Sequence, residues 1–347
     1  MKKVVLLSFL LFVLLIIFSG LTYSQAQLTL PQPSQKASVS QTIGLTDITI
    51  NYHSPLVKQR EIWGKLVPYN KVWRAGANEN TTISFSDPVK IQGQQLNEGT
   101  YGLHMIPSEK EWTIIFSKNN WSWGSFNYDE TEDALRVKVT PQAADFQEWL
   151  NYTFDNPTSN SVNAVLRWEK LKVSIPIELN EHQIVLNHFE KELDNLPGFG
   201  WQAWNQAANY AIQNNIMADD AMKWVDKSIG INRNFTNLMT KASLEEKKGD
   251  KKTAEDLKKE AFGIETEAEV NTYGYTLLFG GNIDGAIEIF KMNVKNHSDS
   301  WNVYDSLGEA YAAKKQNDLA KKNYSKALSM APENQKDRIN QVLNTLN

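Results

Sequence analysis

Four polar or aromatic side chains that could bind a ligand are grouped in the segment VWRAGANEN, at residues 72–80. The planar guanidinium group of Arg74 can bind a carboxylate, a phosphate or a sugar hydroxyl. Asn78 and Glu79 add hydrogen-bonding groups, and the indole of Trp73 offers a surface for stacking. Arg60, in the segment QREIW, supplies a second cation. These five residues form the predicted ligand-binding site.

The same segment has a structural interpretation that remains open at the level of sequence. Gly76 can form a tight turn, Arg74 can pair with Glu79 or with another acid, and Asn78 can cap the loop. An arginine beside a tryptophan can also stack on an indole for structural reasons. The segment is therefore predicted to be either a binding site or an internally paired turn.

Evidence for metal or catalytic chemistry in the sequence is limited. His53 and His104 lie in alternating strand patterns, and with Glu79 they could form a site of two histidines and one carboxylate. The sequence contains no HExxH, GxSxG, phosphate-binding loop or dinucleotide-binding motif. It also contains no cysteine, which excludes disulfides, thiolate nucleophiles and CxxC metal sites. We predict no cofactor and assign no catalytic residue.

The N-terminus has the organisation of a secretory signal. Lys2 and Lys3 precede an apolar run from Val4 to Phe18, and small and polar residues follow. We expect residues 1–26 to be a signal peptide, with cleavage near Ser24 or after Ala26; the alternative is an uncleaved anchor helix. After removal of the signal no membrane span is expected, and the mature protein is expected in the periplasm or at the cell surface. A net charge of -4 argues against nucleic acid as a partner.

Residues 37–179 alternate apolar with polar side chains in short runs that are separated by turn residues. This period is typical of strands with one buried face, and the absence of helical patterns between them predicts an antiparallel β-sandwich or barrel. Most tryptophans of this half are expected in its core, with Trp121 and Trp123 as exceptions because they lie among turn residues. The predicted strands are residues 46–53, 81–86, 99–106, 111–117, 134–140, 149–154 and 164–177.

A linker or helix is predicted over residues 180–200, and from residue 201 to 347 the period is that of tetratricopeptide repeats with a C-terminal capping helix. The last repeat carries the complete spacing from Trp301 to Pro332. A small residue recurs as Ala221, Ala254, Ala286 and Ala320, at separations of 33, 32 and 34 residues, which predicts four helical hairpins. The middle repeats depart from the pattern: Lys258 replaces an aromatic residue, and Asn293 replaces an alanine.

The segments SQTIGLTDITINY, REIWGKLVPYNKVWRAGANENTTISFS, LNEGTYGLHMIP and WGSFNYDETEDALRVKV resemble an uncharacterised secreted family of Bacteroidota, domain of unknown function 2911. The resemblance extends over residues 37 to about 179. It implies a β-sandwich in an exported protein, often ahead of helical repeats. It implies no activity and no catalytic residues.

These patterns predict an exported binding or scaffolding protein of the cell envelope. The helical repeats would bind a protein or peptide partner, and the β-sandwich could bind a small anionic, glycan or peptide ligand. The alternative is an envelope hydrolase acting on glycan or peptide, with a site around Arg74, Asn78 and Glu79. The two hypotheses differ in whether these side chains converge in one cleft.

Overall fold

The computed structural model describes residues 30–216 and 218–346. The predicted signal peptide, residues 1–26, lies outside the described residues. The described chain divides between Val185 and Leu186 into two compact units. We call residues 30–185 the β unit and residues 186–346 the helical unit.

The β unit contains two antiparallel sheets. The first has six strands in the order β1-β2-β3-β6-β7-β8, and the second has four in the order β5-β4-β10-β9. Two register shifts, between Arg167 and Glu169 and between Glu169 and Leu171, interrupt the regular pairing of β10 with β9. The strands are β1 Gln35–Ile43, β2 Thr46–Ser54, β3 Thr82–Phe85, β4 Val89–Ile91, β5 Gln94–Leu96, β6 Gly99–Ile106, β7 Trp112–Ser117, β8 Asp133–Val139, β9 Gln142–Asp155 and β10 Ser161–Glu178.

One hydrophobic core joins the two sheets, as the predicted sandwich requires. Ile50 and Leu103 of the first sheet and Leu166 and Ile175 of the second belong to the same buried cluster. Successive residues of a strand point to opposite faces, so the alternating runs bury one face of each sheet against the other. The antiparallel β-sandwich is confirmed.

The tryptophans of this unit divide as the sequence predicts. Trp112 and Trp168 are fully buried, whereas Trp121 and Trp123 are exposed. Trp63 packs edge-on against Trp112, with ring centroids 4.8 Å apart. Such edge-to-face contacts add to the hydrophobic contribution of the rings themselves.

The first helix, α1, spans the boundary between Val185 and Leu186 and leads into the helical unit. Eight further helices form four consecutive hairpins, α2/α3, α4/α5, α6/α7 and α8/α9, and a last helix follows them. The predicted repeat fold with a C-terminal helix is confirmed. The helices are α1 Glu181–Leu193, α2 Trp201–Asn214, α3 Ala218–Ile231, α4 Phe235–Lys248, α5 Lys251–Ile264, α6 Glu267–Phe279, α7 Ile283–Asn296, α8 Trp301–Ala313, α9 Asn317–Met330 and α10 Glu333–Thr345.

Small residues allow the two helices of each hairpin to approach closely. The four recurring alanines at positions 221, 254, 286 and 320 are all fully buried. Opposite them, Gly274 of α6 lies against the ring of Phe290, and Gly308 of α8 lies against Tyr324. The replacement Asn293 is buried too, and its amide donates to the carbonyl of Glu267 over 3.1 Å. The repeat register therefore persists through the middle hairpins.

Hydrogen bonds between successive hairpins repeat at about the length of one repeat. Asn209 of α2 donates to Thr240 of α4, 31 residues away, over 3.4 Å. Tyr275 of α6 donates to Glu309 of α8, 34 residues away, over 2.8 Å. The first helices of consecutive hairpins are therefore linked by side chains as well as by apolar packing.

No helix within residues 30–216 and 218–346 is long and apolar enough to cross a membrane.

We predict opposite effects for two glycine-to-alanine changes in the helical unit. A Cβ at Gly274 would lie 2.3 Å from a ring atom of Phe290, so Gly274→Ala should lower the free energy of unfolding by about 1–3 kcal/mol through overpacking. Gly263, in α5, has no atom within 4 Å of the added Cβ. Gly263→Ala should therefore raise the free energy of unfolding by up to about 1 kcal/mol through helix propensity. Denaturant melts followed at 222 nm test both, and equal effects would contradict the close packing at Gly274.

Candidate functional site

The turn from Val72 to Asn80 is fixed by hydrogen bonds to both sheets. Ala75 and Asn78 have φ of 51° and 57°, which non-glycine residues adopt only when surrounding contacts hold them. The carbonyl of Ala75 accepts from the Thr81 hydroxyl at 3.1 Å and from the Tyr152 hydroxyl at 2.8 Å. The amide of Ala77 donates to the carbonyl of His53 over 3.2 Å. The backbone of the turn is thus a structural element.

Trp73 belongs to the core side of this turn. Its backbone exchanges two hydrogen bonds with Met105 of β6, each 2.8 Å long. Its indole N–H donates to the carbonyl of Gly76 over 3.1 Å, and its ring stacks on Trp168 with centroids 6.0 Å apart. These contacts give Trp73 a packing role.

Three of the other predicted site residues have separate partners. Asn78 donates to Gln32 over 2.7 Å, and Glu79 lies 3.3 Å from His53 Nδ1. Arg60 donates to the carbonyls of Val57, over 3.0 Å, and Leu56 in its own loop. Neither Asn78 nor Glu79 shares a hydrogen bond with Arg74, so the structure does not bring the proposed hydrolase set into one convergent arrangement.

The ion pair between Arg74 and Glu79, one of the pairings that the sequence left open for this turn, is not formed. Among the described residues, Arg74 forms no ion pair, because Glu79 is directed to His53 instead. The guanidinium carbon of Arg74 lies 5.6 Å from the ring centroid of Trp123, and the buried Nε has no hydrogen-bond acceptor. Burial lowers the pKa of Arg74 from its usual value, but the group remains cationic at neutral pH.

Three exposed aromatic side chains lie in the loop that faces Arg74. We call Trp121, Trp123 and Phe126 the aromatic shelf; their exposed fractions are 81%, 59% and 77%. The rings of Trp123 and Phe126 are nearly parallel, at 10°, with centroids 5.9 Å apart. Exposed aromatic rings that lie beside a cation make this loop a candidate binding surface.

Two backbone contacts and one glycine hold the shelf beside the turn. Glu79 pairs with Trp123 in an antiparallel bridge, and the amide of Asn80 donates to the carbonyl of Ser122 over 3.1 Å. Gly124 has φ of +74°, and a Cβ there would lie 3.0 Å from Arg74 Nη1 and 3.1 Å from the Phe126 ring. Arg74 and Phe126 can therefore both lie against residue 124 only because it is glycine.

His104 lies beneath this loop in a buried polar cluster. Its Nδ1 is 2.9 Å from the Ser125 hydroxyl, and its ring packs on Tyr128, whose hydroxyl donates to Asp133 over 2.6 Å. Burial lowers the pKa of His104 to about 4, although the charge of Asp133 acts in the opposite direction. The adjoining cavity has only about 10 Å³ of free space, room for about one water molecule, which is too small for a substrate.

The suggested metal site at His53, His104 and Glu79 has no support in the arrangement of these residues. Within the described part of the chain, no group of three or more His, Asp or Glu side chains is placed to hold a metal ion. His53 contacts Glu79, whereas His104 contacts Ser125.

The helical unit contains a groove whose position and residues are not evident from the sequence. It encloses about 560 Å³, a volume typical of ligand sites, between the ends of α2 and α4 and the start of α3. Its wall includes the apolar residues Ile212, Ile216, Met222 and Leu244, together with charged residues Asp219, Lys223, Asp226, Lys247 and Lys248. Helical periodicity shows which residues lie on the apolar face of a helix, but it does not show where that face is left uncovered by its neighbours. The position of the groove could therefore not be predicted from the sequence.

The β unit matches a known family. Residues 34–177 match the model described as a protein of unknown function (DUF2911). Together with the helical hairpins that follow, this match confirms the predicted order of a DUF2911 domain and tetratricopeptide-like repeats. No curated protein matches the chain.

Solved structures similar to this chain include several repeat proteins. TTC0263, a thermophilic TPR protein from Thermus thermophilus, is 18% identical, with 48% of this chain and 90% of that chain covered and a TM-score of 0.28. YrrB, a TPR protein with an unusual peptide-binding site, is 18% identical over 43% of this chain and 81% of its own, with a TM-score of 0.23. Pseudomonas aeruginosa pilF is 16% identical over 42% and 67%, with a TM-score of 0.25.

We predict that the β unit loses stability in mild acid because His104 is buried in its neutral form. The folded pKa of about 4 lies below the unfolded value of about 6.5, so this stability is present above pH 6.5 and decreases as the pH falls towards 4. Between pH 7.5 and 5.0 the loss from His104 should be about 2 kcal/mol.

Denaturant melts followed by near-ultraviolet circular dichroism measure this difference in the wild type and in His104→Gln. The variant should lose correspondingly less stability between the two pH values, whatever its stability at pH 7.5. The same loss in both proteins would contradict the assignment to His104.

We also predict that Arg74 and Glu79 are energetically independent. Because the two side chains do not pair, the coupling energy between Arg74→Ala and Glu79→Ala should be below about 0.5 kcal/mol. Arg136 and Asp133, which form a direct 2.5 Å contact, serve as the matched control and should couple by about 0.5–3 kcal/mol. Melts of the single and double variants measure both values, and strong coupling at Arg74 would restore the ion-pair interpretation.

Proposed function

We propose that this protein is an exported binding scaffold of the cell envelope, whose helical unit holds a polypeptide partner and whose β unit binds a small ligand. The observation that carries the proposal is the groove between α2, α3 and α4. An apolar floor with a charged rim, in a stack of helical hairpins, suits an amphipathic segment of another protein. Export is supported by the charged and apolar N-terminal segment.

The charges around the groove favour an acidic partner segment. Asp226 is paired with Lys241 over 2.6 Å, and Lys223 is paired with Asp220 over 2.9 Å. Lys247 donates to the carbonyl of Ile212 over 2.7 Å, so its positive charge has no acidic partner there. With Lys248 beside it, two lysines stand against Asp219 as the charges of the groove that form no ion pair in the described chain, so the rim retains an excess of one positive charge, which an acidic segment would neutralise.

The role of the groove in partner binding can be tested by reversing one positive charge at its rim and by introducing a negative charge among its apolar residues. Met222→Glu with Lys248→Glu should abolish recovery of the partner in pull-downs of the full chain from envelope extract, since both changes oppose an acidic apolar segment. Lys259→Glu, an exposed position of α5 outside the groove, is the matched control and should recover the partner normally.

Circular dichroism at 222 nm should show that all variants retain the helical fold. Equal recovery of the same proteins by the groove variant, the control and the wild type would contradict the proposal.

A further inference from the structure

Arg74 differs from every other arginine of the protein in what surrounds its guanidinium group. The other five arginines each donate to oxygen atoms: Arg60 to carbonyls, and Arg136, Arg167, Arg233 and Arg338 to carboxylates. In the described chain, Arg74 has only the ring of Trp123 and the space above Gly124, and its buried Nε has no acceptor. A partly buried cation without an anion is energetically unfavourable, so the site is complementary to an external carboxylate or similar anion.

The aromatic shelf adds a second requirement on the ligand. Trp121 and Phe126 are about four-fifths exposed, and the rings of Trp123 and Phe126, although stacked on each other, keep more than half of their surface open next to the cation. An open aromatic surface is suited to a ligand with a flat, weakly polar face, since stacking buries area without needing a deep pocket. The pyranose ring of a sugar has such a face formed by its C–H groups.

We propose that Arg74 and the aromatic shelf bind a saccharide that carries carboxylate groups, with a sugar ring on Trp123 or Phe126 and the carboxylate on Arg74. An extended peptide would need an open strand edge or a groove with side-chain pockets, and the shelf itself is an exposed surface rather than a groove. The inference rests on the proposed ligand-binding role of the β unit and is independent of the helical groove.

The experiment is calorimetric titration of the full mature chain with matched saccharides. Trigalacturonate and trimannuronate provide carboxylates, and the methyl ester of each keeps the same rings without the charge. We expect at least one of the two acids to bind, and to bind about tenfold more tightly than its methyl ester, because a charge-assisted contact to arginine is lost in the ester. Affinity for the acid should fall as salt is raised.

Three variants assign the binding to named residues. Arg74→Gln should reduce affinity for the acid by about tenfold and remove the preference over the ester. Trp123→Ala should reduce binding of both acid and ester. Phe146→Ala changes another exposed aromatic residue, on β9, and should change neither affinity.

Several results would overturn the inference: no binding of either acid by the wild type, equal binding of acid and ester, or unchanged affinity in Arg74→Gln and Trp123→Ala. Tighter binding of triglutamate than of either saccharide would assign the surface to acidic peptides instead. If Arg74→Gln fails to fold, the acid-to-ester ratio of the wild type and the Trp123→Ala result still decide the question. Charge reversal in the helical groove should leave all these affinities unchanged, which separates failure here from failure of the partner site.

Discussion

The carbonyl of Ala75 is the point on which the candidate site of the β unit depends. It accepts hydrogen bonds from Thr81, next to β3 of the first sheet, and from Tyr152, on β9 of the second. Burial raises the pKa of Tyr152 well above its usual value, so its hydroxyl remains a donor at any physiological pH. The turn therefore ties the two sheets together, and its strained backbone is held by contacts within the core. The side chain of Arg74 makes none of the hydrogen bonds that hold the turn to the sheets.

The strands and helices were predicted from short-range patterns in the sequence. Those patterns were sufficient to predict the fold class of each unit. Period-two runs predicted seven of the ten strands and missed β1, β4 and β5. The strands β4 and β5 have only three residues each, and β1 has only its last residue buried. Neither a three-residue strand nor an exposed edge strand leaves a clear periodic pattern. The buried alanines of the repeats could be predicted because close helix packing requires a small residue at a fixed interval.

The chemistry of the site could be predicted only in part, because side-chain partners are set by the fold. Arg74 and Glu79 are close in sequence, yet Glu79 contacts His53 of β2 and Arg74 contacts Trp123 from a distant loop. The turn residues around Trp121 and Trp123 predicted that these two tryptophans lie outside the core, so part of the aromatic shelf could be predicted from the sequence. The position of the shelf next to Arg74 could not be predicted, because it depends on the bridge between Glu79 and Trp123, which are 44 positions apart in the sequence.

We propose a binding role for the β unit. The predicted polar residues have separate partners, and the cavity at His104 is too small for a substrate, whereas the exposed aromatic shelf lies beside the partly buried Arg74. The helical unit presents a groove of different character, with aliphatic walls and lysines at its rim. We therefore propose a separate binding surface in each unit, and the two differ in their chemistry.

Hydrogen exchange at the amide of Ala77, measured in the full chain, tests most directly whether the turn is a fixed structural element. This amide donates to the carbonyl of His53 within the anchored turn and should be protected in the wild type. In Tyr152→Phe, which removes one of the two hydrogen bonds to Ala75, the exchange should become about fivefold faster, equivalent to about 1 kcal/mol. An unprotected amide in the wild type, or the same protection in both proteins, would contradict the account.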